Sequence, residues 1–104
     1  MSKGVVATVS WSIKPELTDR FIALLGGMFA VTRTHKGFRN IRLLRSDVDP
    51  NRFLLIQEWD TTEDHRRYAQ FRADRGDTAK LLDMTASMPE LDYWGLDPLA
   101  EAGA

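Results

Sequence analysis

From Val5 to Ile13 the apolar residues Val5, Ala7, Val9, Trp11 and Ile13 interleave with Val6, Thr8, Ser10 and Ser12. A period of two predicts a strand with one apolar face and one mostly small, polar face. Lys14-Pro15-Glu16 turns the chain, and Pro15 suits the opening of a helix. Leu17, Phe21, Leu24, Leu25, Met28 and Thr32 follow at helical spacing, predicting an amphipathic helix of about four turns. His35 and Lys36 would occupy its last turn, with Gly37 as the cap. Gly26-Gly27 falls inside it, where each glycine costs about 1 kcal/mol relative to alanine. Close approach of helix to sheet, or room for a ligand against the helix backbone, would account for the pair.

Phe38 to Arg45 is a second predicted strand and Arg52 to Trp59 a third, joined as a hairpin by the turn Asp47-Val48-Asp49-Pro50-Asn51. The third strand is an almost unbroken apolar run that ends in Glu58-Trp59. Asp60-Thr61-Thr62 then supplies helix N-caps, Glu63 and Asp64 fall in the first turn, and Thr61-x-x-Asp64 fits a loose capping box. Arg75-Gly76-Asp77-Thr78 breaks and recaps that helix. Leu81, Leu82, Thr85 and Met88 make a short second helical piece stopped by Pro89. Leu91 to Leu96 is a last strand, and Asp97 to Ala104 a tail. The order strand–helix–strand–strand–helix–strand predicts a ferredoxin-like α+β fold, a four-stranded antiparallel sheet with its helices on one face.

With 104 residues, 43% hydrophobic and 28% charged, residues 1–104 form one domain with an ordered core over about 4–97. A formal net charge of −1 with no basic block argues against nucleic acid as a partner. The absence of cysteine excludes disulfides, thiolate metal sites and a cysteine nucleophile. The N-terminal stretch turns polar too soon for a signal peptide, and the longest apolar run, Phe21 to Val31, is about half a membrane span. The expected setting is cytoplasmic, without a membrane partner.

No metal, phosphate or dinucleotide motif is present, and no serine sits in a nucleophile elbow. What remains is the helix after Trp59, where His65, Tyr68, Ala69 and Arg72 share one face. A core-facing helix presents an apolar stripe, whereas this one turns an imidazole, a phenol and a guanidinium the same way, the pattern of a cavity wall. Trp59, His65 and Arg72 are the candidate catalytic residues. Tyr68, Asn40, Trp11 and Trp94 are candidate substrate-binding residues, with Tyr93 a further wall. Such walls suit a flat aromatic ligand. His65 would be a general base near neutral pH, and Arg72 would stabilise a phenolate or enolate. The plainer alternatives are core packing for the tryptophans and Tyr68, a solvated surface for His65, and surface ion pairs with Asp74 or Asp77 for Arg72 and Arg75.

Phe-x-x-x-Glu-Trp at the end of the third strand, Tyr68-Ala-Gln-Phe-Arg72-Ala-Asp-Arg-Gly76, Leu81-Leu82 and Met88-Pro89 before an aromatic strand together resemble the antibiotic biosynthesis monooxygenase (ABM) domain family, over Val5 to about Leu96. The resemblance implies a homodimeric α+β barrel with a pocket in each subunit between sheet and helices. It also implies oxygenation of a polycyclic phenol, anthrone or hydroquinone to a quinone with O₂ as co-substrate and no flavin, haem or metal. An electron-rich phenolate or carbanion can reduce O₂ directly, so the protein need only bind, deprotonate and exclude water. Trp59 would then contact the substrate, His65 or Tyr68 assist proton transfer, and Arg72 hold the anion. The chain departs from the quinone-forming members at Leu55, where they resemble one another in an asparagine, and from many others at Tyr68 and Ala69, where they carry a histidine. Asn40 on the neighbouring strand is the candidate substitute for that asparagine. Two rivals use the same pocket without oxygen: a non-catalytic small-molecule binding module, and a cofactor-independent isomerase of a small carbonyl compound.

Overall fold

The alternation from Val5 builds the central strand of the molecule. In the computed structural model, which describes residues 3–103 and so leaves Met1, Ser2 and the tail's last residue, Ala104, outside, β1 (Val5–Ser12) is flanked on both sides. It pairs antiparallel with β3 (Arg52–Trp59) and with β4 (Glu90–Gly95), and β3 pairs antiparallel with β2 (Phe38–Arg45). The order across the four-stranded sheet is β2-β3-β1-β4, the arrangement expected of a ferredoxin-like fold.

Register decides which side chains face the helices. Val5, Ala7, Val9 and Trp11 lie opposite Trp59, Gln57, Leu55 and Phe53, and these make the covered face. Val6, Thr8 and Ser10 lie opposite Glu58, Ile56 and Leu54 on the open face. One irregularity between Phe38 and Asn40 makes Arg39 the extra residue of a β-bulge. Phe38 sits opposite Trp59, but Asn40 sits opposite Glu58 and so falls on the open face.

The first helical segment is shorter and more broken than its periodicity suggests. Pro15–Leu17 is a turn of 3₁₀ helix, α1 spans Thr18–Gly27 and α2 spans Phe29–Thr32. At the junction the Met28 amide reaches back only to the Leu25 carbonyl, a local tightening that the flexible Gly26-Gly27 pair permits. Neither glycine touches the sheet or a cavity. Both are exposed, and a Cβ added at either would meet nothing within 4 Å. Neither explanation offered for the pair therefore holds. Gly37 does not cap the helix, which ends at Thr32. With φ of 84° it makes the turn into β2, and an added Cβ would collide with the Asp64 carboxylate.

The hairpin and the capped helix behave as expected. Thr61 caps α3 (Thr62–Asp74) by accepting from the Asp64 amide at 3.0 Å. After Gly76, α4 covers Asp77–Leu82. Thr85 is not helical, since it bridges to Ile13 beside β1. The core falls into two clusters. Trp11, Ile13, Phe21, Leu25, Met28, Phe53, Leu55 and Leu81 form one, and Val5, Ala7, Trp59 and Tyr68 the other. Burying an aromatic the size of Phe21 or Trp59 stabilises by about 1.5–3 kcal/mol or more. Between the clusters runs a seam of buried polar side chains: Thr32, Gln57, His65 and Arg72.

Candidate functional site

A cavity of about 200 Å³ occupies that seam. Its walls are largely apolar, from Val9 and Trp11 of β1, Leu55 of β3, Ile41 of β2, Leu25, Met28 and Phe29 of the first helical segment, and Leu81 of α4. Leu82 and Leu91 also line it while being 36% and 48% exposed, so the cavity reaches the surface between α4 and β4. Its polar lining consists of Thr32, Gln57, His65, Tyr68, Arg72 and Thr78, with no carboxylate among them. The α3 face inferred from spacing is thus the cavity wall, since His65, Tyr68, Ala69 and Arg72 all line it.

Arg72 is 7% exposed, and four of its five N–H donors have partners. Nε donates to the Tyr68 hydroxyl at 2.8 Å, Nη1 to the Asp77 carboxylate at 2.8 Å, and Nη2 to the Met28 carbonyl at 2.8 Å and Thr32 Oγ1 at 3.3 Å. Thr32 Oγ1 donates its one proton to the Met28 carbonyl at 3.0 Å, so in the 2.6 Å contact between Thr32 and Tyr68 the phenol is the donor. The order is therefore directed from Arg72 to Tyr68, to Thr32, to Met28. Burial alone would pull the Arg72 pKa down, but the bonds to Tyr68 and Asp77 outweigh it and hold the group above its ordinary value. The guanidinium ties α3, α4 and the α1–α2 junction together. It is not a surface ion pair, and most of its donors are engaged by the protein, one N–H of Nη1 remaining.

His65 is 4% exposed, with its ring edge-on to Trp59 and Tyr93. Burial, with the Arg66 charge adding to it, pushes its pKa down to about 4. The imidazole is neutral at pH 7 and a weaker base than the sequence suggests. Its Nδ1 lies 2.7 Å from the Tyr93 hydroxyl. Burial raises the Tyr93 pKa, against the opposing pull of Arg66, so the phenol keeps its proton.

Gln57 carries no signal in an otherwise apolar run, yet it stands at the seam, 3% exposed. Its Oε1 accepts from Trp59 Nε1 at 3.1 Å. Trp59 itself is sealed at 0% exposure and does not line the cavity. Trp59 therefore borders the cavity only through its bond to Gln57. Strand alternation could have found Gln57, because Phe53, Leu55, Gln57 and Trp59 are spaced by two. Trp11 lines the cavity as expected, and its buried Nε1 has no hydrogen-bond partner among the described residues.

Two of the sequence candidates lie elsewhere. Asn40, displaced by the bulge, is exposed on the open face with its Nδ2 3.5 Å from Glu58. Trp94 lies opposite Val6 on that same face, 57% exposed, donating to Thr8 Oγ1 at 3.1 Å. The sheet separates both from the cavity. Tyr93, the neighbouring residue, faces inward instead. Among the described residues no group of three or more His, Cys, Asp or Glu side chains is placed to hold a metal ion, and no helix is long and apolar enough to cross a membrane.

A family model described as antibiotic biosynthesis monooxygenase matches residues 4–86. Among solved structures, a mutant of SnoaB, a cofactor-independent oxygenase from Streptomyces nogalater, superposes with a TM-score of 0.79 at 17% identity, covering 96% of this chain and 100% of its own. A conserved protein from Methanosarcina mazei Go1 gives 0.81 at 13% identity, over 88% of this chain and 91% of its own. Rv0793 from Mycobacterium tuberculosis gives 0.78 at 20%, over 96% and 99%. At these identities the likeness is one of fold. No curated protein matches the sequence.

Removing the guanidinium leaves the buried Asp77 carboxylate with only the exposed Arg75 at 3.6 Å and takes a donor from Tyr68 and from the Met28 carbonyl, so Arg72→Ala should lower unfolding free energy by about 3–5 kcal/mol in urea titration. A loss below about 1 kcal/mol would contradict the structural role. For His65 the folded pKa of about 4 lies below the ordinary 6.5, so the unfolded chain binds the extra proton as pH falls. The stabilisation from burying the neutral ring is complete above about pH 6.5 and lost toward pH 4. Between pH 7 and 5 the wild type should lose about 2 kcal/mol that His65→Gln does not. Equal losses in both would contradict it.

Proposed function

The chain belongs to the antibiotic biosynthesis monooxygenase family, and from that premise we propose that it is a cofactor-independent monooxygenase converting a small phenol-type aromatic into a quinone with O₂. The observation that carries the reading is the cavity itself: a largely apolar chamber of about 200 Å³ with Gln57 of β3 and His65, Tyr68 and Arg72 of α3 among its few polar groups. The fold shared with a cofactor-independent oxygenase supports it. Pockets for drug-sized ligands span about 300–1,000 Å³, so this one favours one or two fused rings over a three-ring anthrone.

The reaction balances without an external reductant. The ring carbon para to the hydroxyl forms a bond to one oxygen atom, the O–O bond breaks, and the second oxygen leaves as water with the two hydrogens that the phenol and that carbon lose. The two bonds to hydrogen supply the electrons. The chain contributes an apolar chamber that excludes bulk water, flat walls that orient the ring, and polar groups at one end that hold the substrate oxygen. His65 and Gln57 form that end, with Tyr68 beside them. Trp59 acts by holding Gln57, and Arg72 by holding Tyr68 and the cavity frame.

The open sheet face supports the homodimer expected for the family. Leu44 and Trp94 are 44% and 57% exposed there, beside half-buried Val6, Leu54 and Ile56. One observation favours the second reading, a binding module without turnover: no carboxylate lines the cavity and His65 is held neutral, so no strong base is at hand.

Oxygen uptake by metal- and flavin-free protein with 1-naphthol separates the two. Oxygenation predicts uptake above the autoxidation rate, one atom of isotopically labelled O₂ in the quinone, and loss of at least about tenfold in Ala69→Leu, which fills the cavity from α3. Saturable naphthol binding without uptake would overturn the oxygenase reading in favour of the binding module.

A further inference from the structure

The polar end of the cavity can be assigned proton by proton. Gln57 Oε1 accepts from the Trp59 indole N–H, which fixes the orientation of the buried amide and leaves its NH₂ group without a partner among the described residues. His65 Nδ1 is occupied by Tyr93. A phenol is the stronger acid and an imidazole nitrogen the stronger base, and the Arg66 guanidinium stands over the Tyr93 ring, 5.4 Å from its centroid. The pairing is therefore Tyr93 O–H donating to Nδ1, which fixes the neutral tautomer with its proton on Nε2. Nε2 has no partner among the described residues, and the ring lines the cavity. Tyr68, the third polar group on this wall, has already given its proton to Thr32 and accepts from Arg72.

We propose that the cavity is a receptor for an acceptor-only oxygen, with Gln57 Nε2–H and His65 Nε2–H as the two donors, Trp59 fixing the sense of the first and Tyr93 that of the second, so that a phenol enters service as its phenolate. The inference rests on the cavity being the substrate site, as above. It changes the chemistry in one respect: the protein needs no base of its own. Two donors on the ligand oxygen favour its ionised form in a site where the neutral phenol's own proton finds no acceptor of strength, and that proton leaves to solvent. Such a site discriminates by leaving a group unpaired when the wrong partner enters, which is where polar recognition is strongest.

The test uses 4-nitrophenol, whose phenolate is coloured and titrates near neutral pH, so the bound form is read from its spectrum without oxygen or turnover. The intact protein should bind the phenolate roughly tenfold more tightly than the phenol, seen as a drop of about one unit in the apparent pKa of the bound dye. Gln57→Glu keeps the acceptor for Trp59 and replaces only the amide donor, and it should abolish phenolate binding. Gln57→Met, which adds no charge, should remove most of the preference if the charged variant does not fold. Tyr93→Phe frees the tautomer, so that His65 Nε2 can accept the phenol's proton, and should shrink the pKa drop by strengthening binding of the neutral phenol. Binding of the phenol form, no binding, or a preference indifferent to Gln57 would overturn the proposal. Phenolate binding without oxygen uptake would sink the oxygenase and leave the ligand class standing. Uptake with the phenol form bound would do the reverse.

Discussion

A buried guanidinium holds this site open. Taking an ion out of water costs several kcal/mol unless its hydrogen-bonding capacity is met, and Arg72 is met on every nitrogen by α3, α4 and the α1–α2 junction. Those partners fix where α3 lies relative to the first helical segment. They also direct the Tyr68 and Thr32 protons along one line, since each hydroxyl has a single proton to give. With four of its five donors on carbonyl, carboxylate, hydroxyl and phenol, Arg72 acts first on the frame of the cavity.

The seam that Arg72 organises explains why a cavity persists in so small a domain. Two apolar clusters close on either side, and neither can extend across Thr32, Gln57, His65 and Arg72 without desolvating them. The remaining polar groups are then sorted by their neighbours. Trp59 takes the acceptor half of Gln57 and Tyr93 takes one nitrogen of His65. Function in this reading comes from which half of each polar group is left over, so residues that never touch a ligand decide what it can be.

Much of the fold was legible because it rests on local chemistry. Alternation from Val5 marks the central strand, and Thr61 caps α3 through the Asp64 amide as its spacing implies. The face shared by His65, Tyr68 and Arg72 follows from helical period alone. The errors sit where parity or long-range contact decides. Asn40 shares a parity with Phe38 until the bulge at Arg39 reverses it, and a bulge has no fixed residue signature. In β4 both parities carry an aromatic, so nothing local says that Tyr93 faces in and Trp94 out. Gln57 was hidden by its setting, a polar residue discounted inside an apolar run. The burial of Arg72 among partners such as Met28 and Thr32, dozens of residues away, and the burial that keeps His65 neutral are both tertiary in origin.

The central claim is that an aromatic ligand lies between α3 and the covered face of the sheet with its oxygen on Gln57 and His65. The three tryptophans report on it separately, since Trp11 lines the cavity, Trp59 is bonded to Gln57, and Trp94 lies across the sheet. In a titration of ¹⁵N-labelled protein with 2-naphthol, the account predicts that the Gln57 side-chain amide, the His65 ring nitrogens and the Trp11 and Trp59 indoles shift together and saturate at one concentration, with Trp94 unmoved. Shifts confined to Trp94 and the open face, with Gln57 and His65 silent, would contradict it.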